Sequence, residues 1–352
     1  MCAWVEGPRT RRHYEMKLGI WTPLPHTVRV DPLMAQAIGD LRITGSGGAT
    51  DKSFRIAIDV VRRAEELGFV STLIAERHLG PDLEAWILAS AMIAETRNIE
   101  LLVAVHPGIF SPQVTAKMGA TLDRISGGRF AVNIVNGWFQ KEFDVFGNNT
   151  WLDQSEERYV RMGEFMAIVH GLWTQDEYTL DGQFYKCVDG TLPIRPLQTP
   201  SPPIYAASRA ASGKEAIARY CDYWFVAYEG GLKEAEENSI RIKDGIKDMN
   251  ERAAEFGRTM SYGMSAHVIC ADTYNEAEER ANALEEYGET DPIAAVAAKA
   301  LGVGLVGTPA QIIERLNYYS DIGVDMPMIH FYPMMSELEK FAAKILPKLK
   351  LS

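Results

Sequence analysis

The sequence predicts an α/β protein in which eight parallel strands close into a (β/α)8 barrel, with insertions after strands 1, 4 and 7. Three observations carry that expectation. Strand-sized apolar runs alternate with longer amphipathic segments from residue 16 onward, and such alternation builds parallel βαβ units. Eight such runs are present, the number a closed barrel takes. The first strand-to-helix connection carries no GxGxxG fingerprint, which turns the reading away from an open dinucleotide-binding sheet. At 352 residues the chain holds one barrel of about 250 residues together with its insertions.

The elements follow in order. Leu18–Thr22 reads as strand one and Ser53–Leu67 as the first helix, capped by Asp51 or Ser53 and stopped by Gly68. Next come strand Ser71–Ala75 and helix Ala85–Thr96, then strand Glu100–Val105 and helix Pro112–Ile125. Strand four, Phe130–Val135, leads to helix Glu156–Thr174; strand five, Ile204–Ala207, leads to helix Gly213–Tyr220. Strand six, Tyr223–Val226, precedes helix Glu234–Phe256. Strand seven is Gly263–Cys270, followed by helices Tyr274–Tyr287 and Pro309–Ser320, and strand eight is Met328–Phe331. Thr308 before Pro309 is a cap followed by a proline at the first helical position, and Gly323 sits where a helix end needs positive φ.

Three long connections interrupt the repeat. Leu24–Thr50 is polar and glycine-bearing. Asp176–Pro203 carries aromatics and prolines and predicts a hairpin around Asp181-Gly182. Glu285–Val306 contains an alanine-rich helical stretch, Ile293–Ala300. Connections of this length in a compact domain are usually functional, and those that follow barrel strands line the mouth where chemistry occurs.

Composition narrows the function. Lys and Arg number 36 against 47 Asp and Glu, a net charge of −11, and an acidic body is a poor nucleic-acid binder. No run approaches the roughly 18 apolar residues of a membrane span. Residues 1–15 hold basic residues without an apolar core, so they read as a disordered tail rather than a secretory signal, before a single domain over 16–352. The four cysteines lie far apart with no CxxC, which indicates a reducing compartment and a cytoplasmic protein.

The strand ends deliver the polar residues that a barrel active site needs: Glu76-Arg77-His78, His106, Asn133, Asn136-Gly137-Trp138, Ser208-Arg209, His267, His330 and Tyr332. The histidines invite a metal reading, but no HxH or HExxH pair brings ligands together, so no metal is expected. A GxSxG nucleophile elbow is also missing. The segment Ala206–Gly213 follows strand five and opens a helix. Its small residues and helix-start N–H groups suit a phosphate, with Arg209 adding charge. A plain βα turn capped by Ser208 or Ser212 fits the spacing equally well.

At Ile125-Ser126-Gly127-Gly128-Arg129 and Asn133-Ile134-Val135-Asn136-Gly137-Trp138 the sequence resembles the bacterial-luciferase-like flavin monooxygenases. Trp151-Leu152-Asp153, Glu156-Glu157-Arg158-Tyr159 and Gly171-Leu172-Trp173-Thr174 extend the likeness, which spans Met16 to Leu349. It looks most like the two-component branch that contains alkanesulfonate, dimethyl-sulfone and pyrimidine monooxygenases. The resemblance implies a TIM barrel that uses reduced FMN and O2, the flavin coming from a separate NAD(P)H:flavin reductase. It places the flavin phosphate at Ser208–Gly213, where Ala207-Ser208 and Arg209-Ala210 replace the usual glycine and serine pairs, so that Ala207, Ser208, Arg209, Ser212 and Gly213 join Asn136 and Tyr159 as cofactor-binding candidates. Asn133 and Trp138 match positions tied to oxygen activation, and His267 and Tyr332 match a histidine and a barrel-end tyrosine of the sulfonate-cleaving relatives. These four are the catalytic candidates. Asp176–Pro203 aside, the long connections Leu24–Thr50 and Glu285–Val306 are candidates to exclude water from the reacting flavin.

Departures from the pattern shape the substrate expectation. Ser265 stands where the sulfonate-cleaving relatives carry an arginine, and the loop bearing a second arginine is shortened. Burying a permanent anion requires a paired cation, whereas a neutral sulfone needs only hydrogen-bond donors. His78, His106 and His330 are the substrate-binding candidates. The expected activity is therefore oxidation and cleavage of a small organosulfur compound, a sulfone or sulfonate. The alternatives are an FMN monooxygenase of N-heterocycles or amides, and a deazaflavin-dependent oxidoreductase. The resemblance implies a homodimer or homotetramer joined through the helices near strands two and three; the small and apolar residues in Ala85–Thr96 and Pro112–Thr121 allow such close approach, as they equally allow packing within the barrel.

Overall fold

In the computed structural model, residues 16–25, 52–80, 82–290, 298–349 and 351 are described. The tail 1–15, most of the connection after strand one, Asp51 and the start of the alanine-rich stretch lie outside them. The strands are β1 (Gly19–Trp21), β2 (Ser71–Ile74), β3 (Glu100–Val105), β4 (Phe130–Ile134), β5 (Tyr178–Asp181) and β6 (Lys186–Gly190). They continue with β7 (Ile204–Ala206), β8 (Tyr223–Phe225), β9 (Ser261–His267), β10 (Ile269–Cys270), β11 (Val306–Gly307) and β12 (Met326–His330). Eight of them form a closed parallel ring in the order β1-β12-β9-β8-β7-β4-β3-β2.

The pleat explains how the ring is filled. Alternate residues point inward, and Leu73, Leu102, Ala131, Tyr205, Phe225, Met326 and Met328 meet inside the barrel. Gly19 has no room for a side chain, because the Met328 thioether fills the place of its Cβ. The opposite strand faces carry Leu101, Val103, Val105, Val132 and Ile204 outward into a much larger core shared with the helices.

The helices are α1 (Lys52–Glu66), α2 (Ala85–Glu95), α3 (Pro112–Ser126), α4 (Gln140–Val145), α5 (Ser155–Thr174) and α6 (Ala211–Tyr220). After them come α7 (Ala235–Glu255), α8 (Tyr274–Thr290), α9 (Pro309–Asp321) and α10 (Met334–Lys344). Positive φ at Gly68 (92°) and Gly323 (105°) ends α1 and α9 as expected. The Thr308 N–H donates to Gln311 Oε1 at 2.9 Å ahead of Pro309. Lys52 begins α1, which places Ser53 inside the first turn instead of at the cap.

Three details differ from the sequence expectation. The predicted strand Gly263–Cys270 is two strands: at Val268, whose N–H donates to His330 O, the chain leaves the barrel, and Ile269–Cys270 pair in parallel with Val306–Gly307. The helix Tyr274–Thr290 consequently belongs to the insertion, and the eighth outer helix is Met334–Lys344. Its apolar face is Met334, Leu338 and Phe341, an i, i+4, i+7 pattern that was present in the sequence. The hairpin around Asp181-Gly182 exists as β5 and β6, but it follows α5 and so starts from the opposite end of the barrel. The Glu164 carboxylate accepts the N–H groups of Gln183, Phe184 and Tyr185 at 2.7–2.9 Å and pins the hairpin tip along that helix. Tyr185 Oη in turn accepts the Gly108 N–H at 2.7 Å, so only the tip reaches the mouth.

Candidate active site

A cavity of about 420 Å³ opens at the carboxyl ends of the barrel strands, within the range of about 300–1,000 Å³ typical of small-molecule sites. Its walls are strand-end residues: Trp21 from β1, Leu73 from β2, Asn133 and the following Ile134, Val135 and Asn136 from β4, Phe225–Tyr228 after β8, and Ser265 from β9. Tyr159 of α5 and the turn Ala207-Ser208-Arg209 close one corner, where Lys299 and Ala300 arrive from the insertion.

Six of the sequence candidates therefore share one cavity: Asn133, Asn136, Tyr159, Ala207, Ser208 and Arg209. Ser212 and Gly213 stand directly behind them in the first turn of α6. The Cβ place of Gly213 is filled by Ser208 and by the Tyr159 ring, so this turn packs closely only with glycine there. Ser208 Oγ accepts the Ala210 N–H at 3.1 Å, although Ala210 itself is the cap of α6. The N–H groups of that first turn have no acceptor within the helix, which favours an anion. The Ser212 hydroxyl donates to the Glu156 carboxylate, and Arg209 Nη1 pairs with Glu229 at 3.0 Å.

His330 and His267 lie one layer behind the cavity wall. The His330 ring stacks on Trp21, and the His267 ring stacks on His330 with centres 6.0 Å apart. Neither His267 nitrogen has a hydrogen-bond partner, and burial first, then Arg280, pushes its imidazole down to about 4.

His78 and His106 form a separate buried cluster with Glu76 at the ends of β2 and β3. His106 Nδ1 lies 3.3 Å from His78 Nε2, and His78 Nδ1 lies 3.6 Å from Glu76 Oε1. The other Glu76 oxygen accepts the Ala85 N–H at 2.8 Å and so holds the start of α2. Burial is the main cause of every shift here. It pushes Glu76 up to about 7, with Glu84 and Asp82 adding to the rise against the Ala85 hydrogen bond. It pushes His78 down to about 4 and His106 to about 3, helped by Arg77.

Trp138 is not brought into the cavity. It is 60% exposed, with the Arg77 guanidinium 4.5 Å above its ring. Arg77 Nε also approaches Glu142 of α4 at 3.4 Å. Tyr332 likewise stands outside the lining; its carbonyl accepts from Arg280 at 3.3 Å. Sequence reasoning missed Trp21, Ser265 as a lining residue, Tyr228 and Lys299. Trp21 had a signal, an aromatic ending the first strand at the mouth. Lys299 had none, because it lies on an insertion whose path the repeat pattern does not fix.

The cavity suits a long ligand with a phosphate at one end and a planar amphipathic ring at the other. The cationic corner is the α6 start, where Arg209 and Lys299 line the cavity. The ring end is walled by Leu73, Phe225 and Val226, and two lining residues there carry buried polar atoms without partners, Trp21 Nε1 and Asn136 Oδ1. A buried polar atom left unpaired costs about 1–3 kcal/mol, which a flavin edge recovers by pairing with it.

The protein-family description luciferase-like monooxygenase matches residues 37–326. An FMNH(2)-dependent dimethylsulfone monooxygenase of Pseudomonas putida is 34% identical over 295 residues, covering 75% of this chain and 78% of that protein. Among solved structures, monooxygenase RslO1 from Streptomyces bottropensis superposes with a TM-score of 0.72 at 21% identity, covering 94% of this chain and 99% of the other. An F420-dependent secondary alcohol dehydrogenase superposes with a TM-score of 0.69 at 17% identity, covering 94% and 98%. At these identities the two superpositions show a shared barrel fold. By that match, over a barrel whose strand ends frame the cavity, the chain belongs to the luciferase-like monooxygenase family.

Proposed function

We propose that this protein is a two-component monooxygenase that takes reduced FMN from a separate NAD(P)H:flavin reductase and uses O2 to oxidise and cleave a small neutral organosulfur compound, a sulfone. The observation that carries the reading is the division of charge in the cavity. Its lining cations, Arg209 and Lys299, stand together at the α6 corner, while the strand-borne lining of Trp21, Asn133 and Ser265 is uncharged. A phosphate belongs at the first end and a neutral substrate at the second. The Pseudomonas putida relative, named for dimethylsulfone and FMNH(2), supports both assignments.

The residues then divide the work. Ser208 and the α6 N–H groups hold the phosphate, and Tyr159 and Asn136 flank the flavin. Bound reduced FMN supplies the two electrons with which O2 is activated. The Asn133 amide offers a donor toward the oxygen that is reduced, and the Ser265 hydroxyl a hydrogen bond to a sulfonyl oxygen. Trp21 and the His330–His267 stack behind it keep that wall dry. His78, His106 and Glu76 brace the ends of β2 and β3, and the Val105 carbonyl of β3 in turn accepts the Val135 N–H. Trp138 acts from the rim, over Arg77, and Tyr332 at the turn after β12.

The exposed faces of α2 and α3 carry Ile87, Val114 and Ile125, which supports a homodimer or homotetramer joined through these helices. No described helix is long and apolar enough to cross a membrane, and a cytoplasmic setting matches the free cysteines Cys187, Cys221 and Cys270.

An anaerobic fluorescence titration with reduced FMN, oxidised FMN and reduced deazaflavin tests the cofactor, followed by O2 addition with dimethyl sulfone. Tight binding of reduced FMN and substrate-dependent product formation are expected. Preference for the deazaflavin, with no oxygen incorporated, makes the protein a hydride-transfer enzyme instead.

A further inference from the structure

We propose that Lys299 is a phosphate-binding residue for the reduced flavin, supplying the positive charge that Arg209 has already committed to Glu229. The proposal rests on the FMN reading above. Lys299 lines the cavity beside Ser208 and Arg209. Arg209 and Arg241 share the single carboxylate of Glu229, at 3.0 and 3.2 Å, and Arg241 also takes Glu237. Lys299 makes no ion pair or hydrogen bond among the described residues; Glu229, already bridged by two guanidiniums, acts on it only at a distance, so its ammonium is the charge of the corner still open to a direct contact. The Ser212 hydroxyl is likewise engaged, by Glu156. What remains for a phosphate is the backbone of the α6 start and Lys299.

The lysine is held in place, although its own side chain reaches the rim. The fully buried Asn238 donates to the carbonyls of Glu229 and Gly302 and accepts the Glu229 N–H at 3.1 Å. It thereby ties the turn that carries Ala300–Val303, and Lys299 just before it, to the loop that carries the partner of Arg209. Gly302 fits there because its Cβ would meet the backbone carbonyl of Gly230. Partial burial, and then the Arg209 charge beside it, pushes the Lys299 ammonium down from its usual value. Two cations held together at a helix start repel one another, and a phosphate with a charge of about −1.5 to −2 reverses that repulsion.

The test is anaerobic equilibrium titration of the wild type, Lys299→Met and Lys299→Arg with reduced FMN and with reduced riboflavin, which has no phosphate. Lys299→Met keeps the stem and removes the charge. It is expected to weaken reduced FMN by about 10- to 100-fold, the size of one charge-assisted contact, and to leave reduced riboflavin within about twofold. Lys299→Arg is expected to restore most of the loss. Equal weakening of both ligands, or an unchanged affinity for FMN, overturns the phosphate role. A wild type that shows no preference for FMN over riboflavin overturns the flavin-phosphate reading itself, and is seen before any variant is made.

Discussion

The imidazole of His330 lies against the indole of Trp21, with ring centres 4.3 Å apart and planes inclined by 25°. The register makes this contact. Ile20 pairs with Ile329 and His330 with His267, so three inward-facing rings fall in one row across β1, β12 and β9. The cavity wall is therefore set from behind. Trp21→Phe keeps a ring in that row and removes the unpartnered Nε1–H. Fold stability is expected to change by less than about 1.5 kcal/mol. Reduced FMN affinity is expected to fall by about 2- to 10-fold, the worth of one neutral hydrogen bond. Anaerobic titration measures it, and an unaltered affinity means the flavin does not use that donor.

The buried histidines predict acid sensitivity. Unfolded, each imidazole takes a proton near pH 6.5, whereas folded His78, His106 and His267 resist until about 4, 3 and 4. Between those values the unfolded chain binds more protons, so stability falls as pH falls. Glu76 and Asp325 act in the opposite direction, because the folded chain keeps their protons up to about 7 and 6. Burial also raises Glu100 and lowers His170, so four imidazoles stand against three carboxyls and outweigh them. Urea unfolding at pH 7.5 and 5.5 should give the lower stability at 5.5, and His106→Gln should narrow the gap.

Trp138 separates a rim role from a structural one. Its visible partner is the Arg77 guanidinium, an exposed cation–π contact of about 0.5–1 kcal/mol. Trp138→Ala should shift stability by no more than that and leave reduced FMN binding intact, while product formed per O2 consumed falls. An unchanged yield per O2 removes Trp138 from the catalytic candidates.

Glu164 is a structural clamp with a measurable signature. Its carboxylate gathers three hairpin N–H groups, and Glu164→Ala should cost about 1–3 kcal/mol. The same change should open the tip at residues 182–185 to protease. Resistance there equal to wild type shows that Tyr185 on Gly108 holds the tip alone.

The barrel was legible because its strands are short apolar runs buried on both faces and helices such as α1 carry a clear apolar period, Ala57, Ile58, Val61 and Ala64; β3 was predicted to the residue. Boundaries failed where hydrogen bonding changes partner without any change in composition. Gly263–Cys270 is continuously strand-like, yet the ladder moves from β12 to β11 at Val268, and no local preference marks such a transfer. The site divides similarly. Asn133, Asn136, Tyr159 and Ser208 follow from their places at strand or helix ends. The retreat of His267 and His330 behind Trp21 depends on which of two neighbouring rings stands nearer the cavity, a tertiary fact. Lys299 was invisible for the same reason, since contacts distant in sequence, from Asn238 to Gly302 and from Arg315 and Tyr319 to Val303, bring its turn to the cationic corner.

The β10–β11 pair has an evolutionary and engineering consequence. It joins the two ends of residues 271–305 by parallel strands at a fixed neck, so the chain between them can be lengthened, shortened or exchanged without disturbing the closure of the eight-stranded ring. Ring closure fixes the flavin end of the cavity, while the grafted loop brings residues such as Lys299 to its edge. Loop-closure entropy grows only logarithmically with length. A chimera that keeps Ala300–Leu305, whose Val303 and Leu305 belong to the main core and whose Gly302 carbonyl takes Asn238, and exchanges the chain before it thus inherits the barrel's stability and the donor segment's contacts at the mouth.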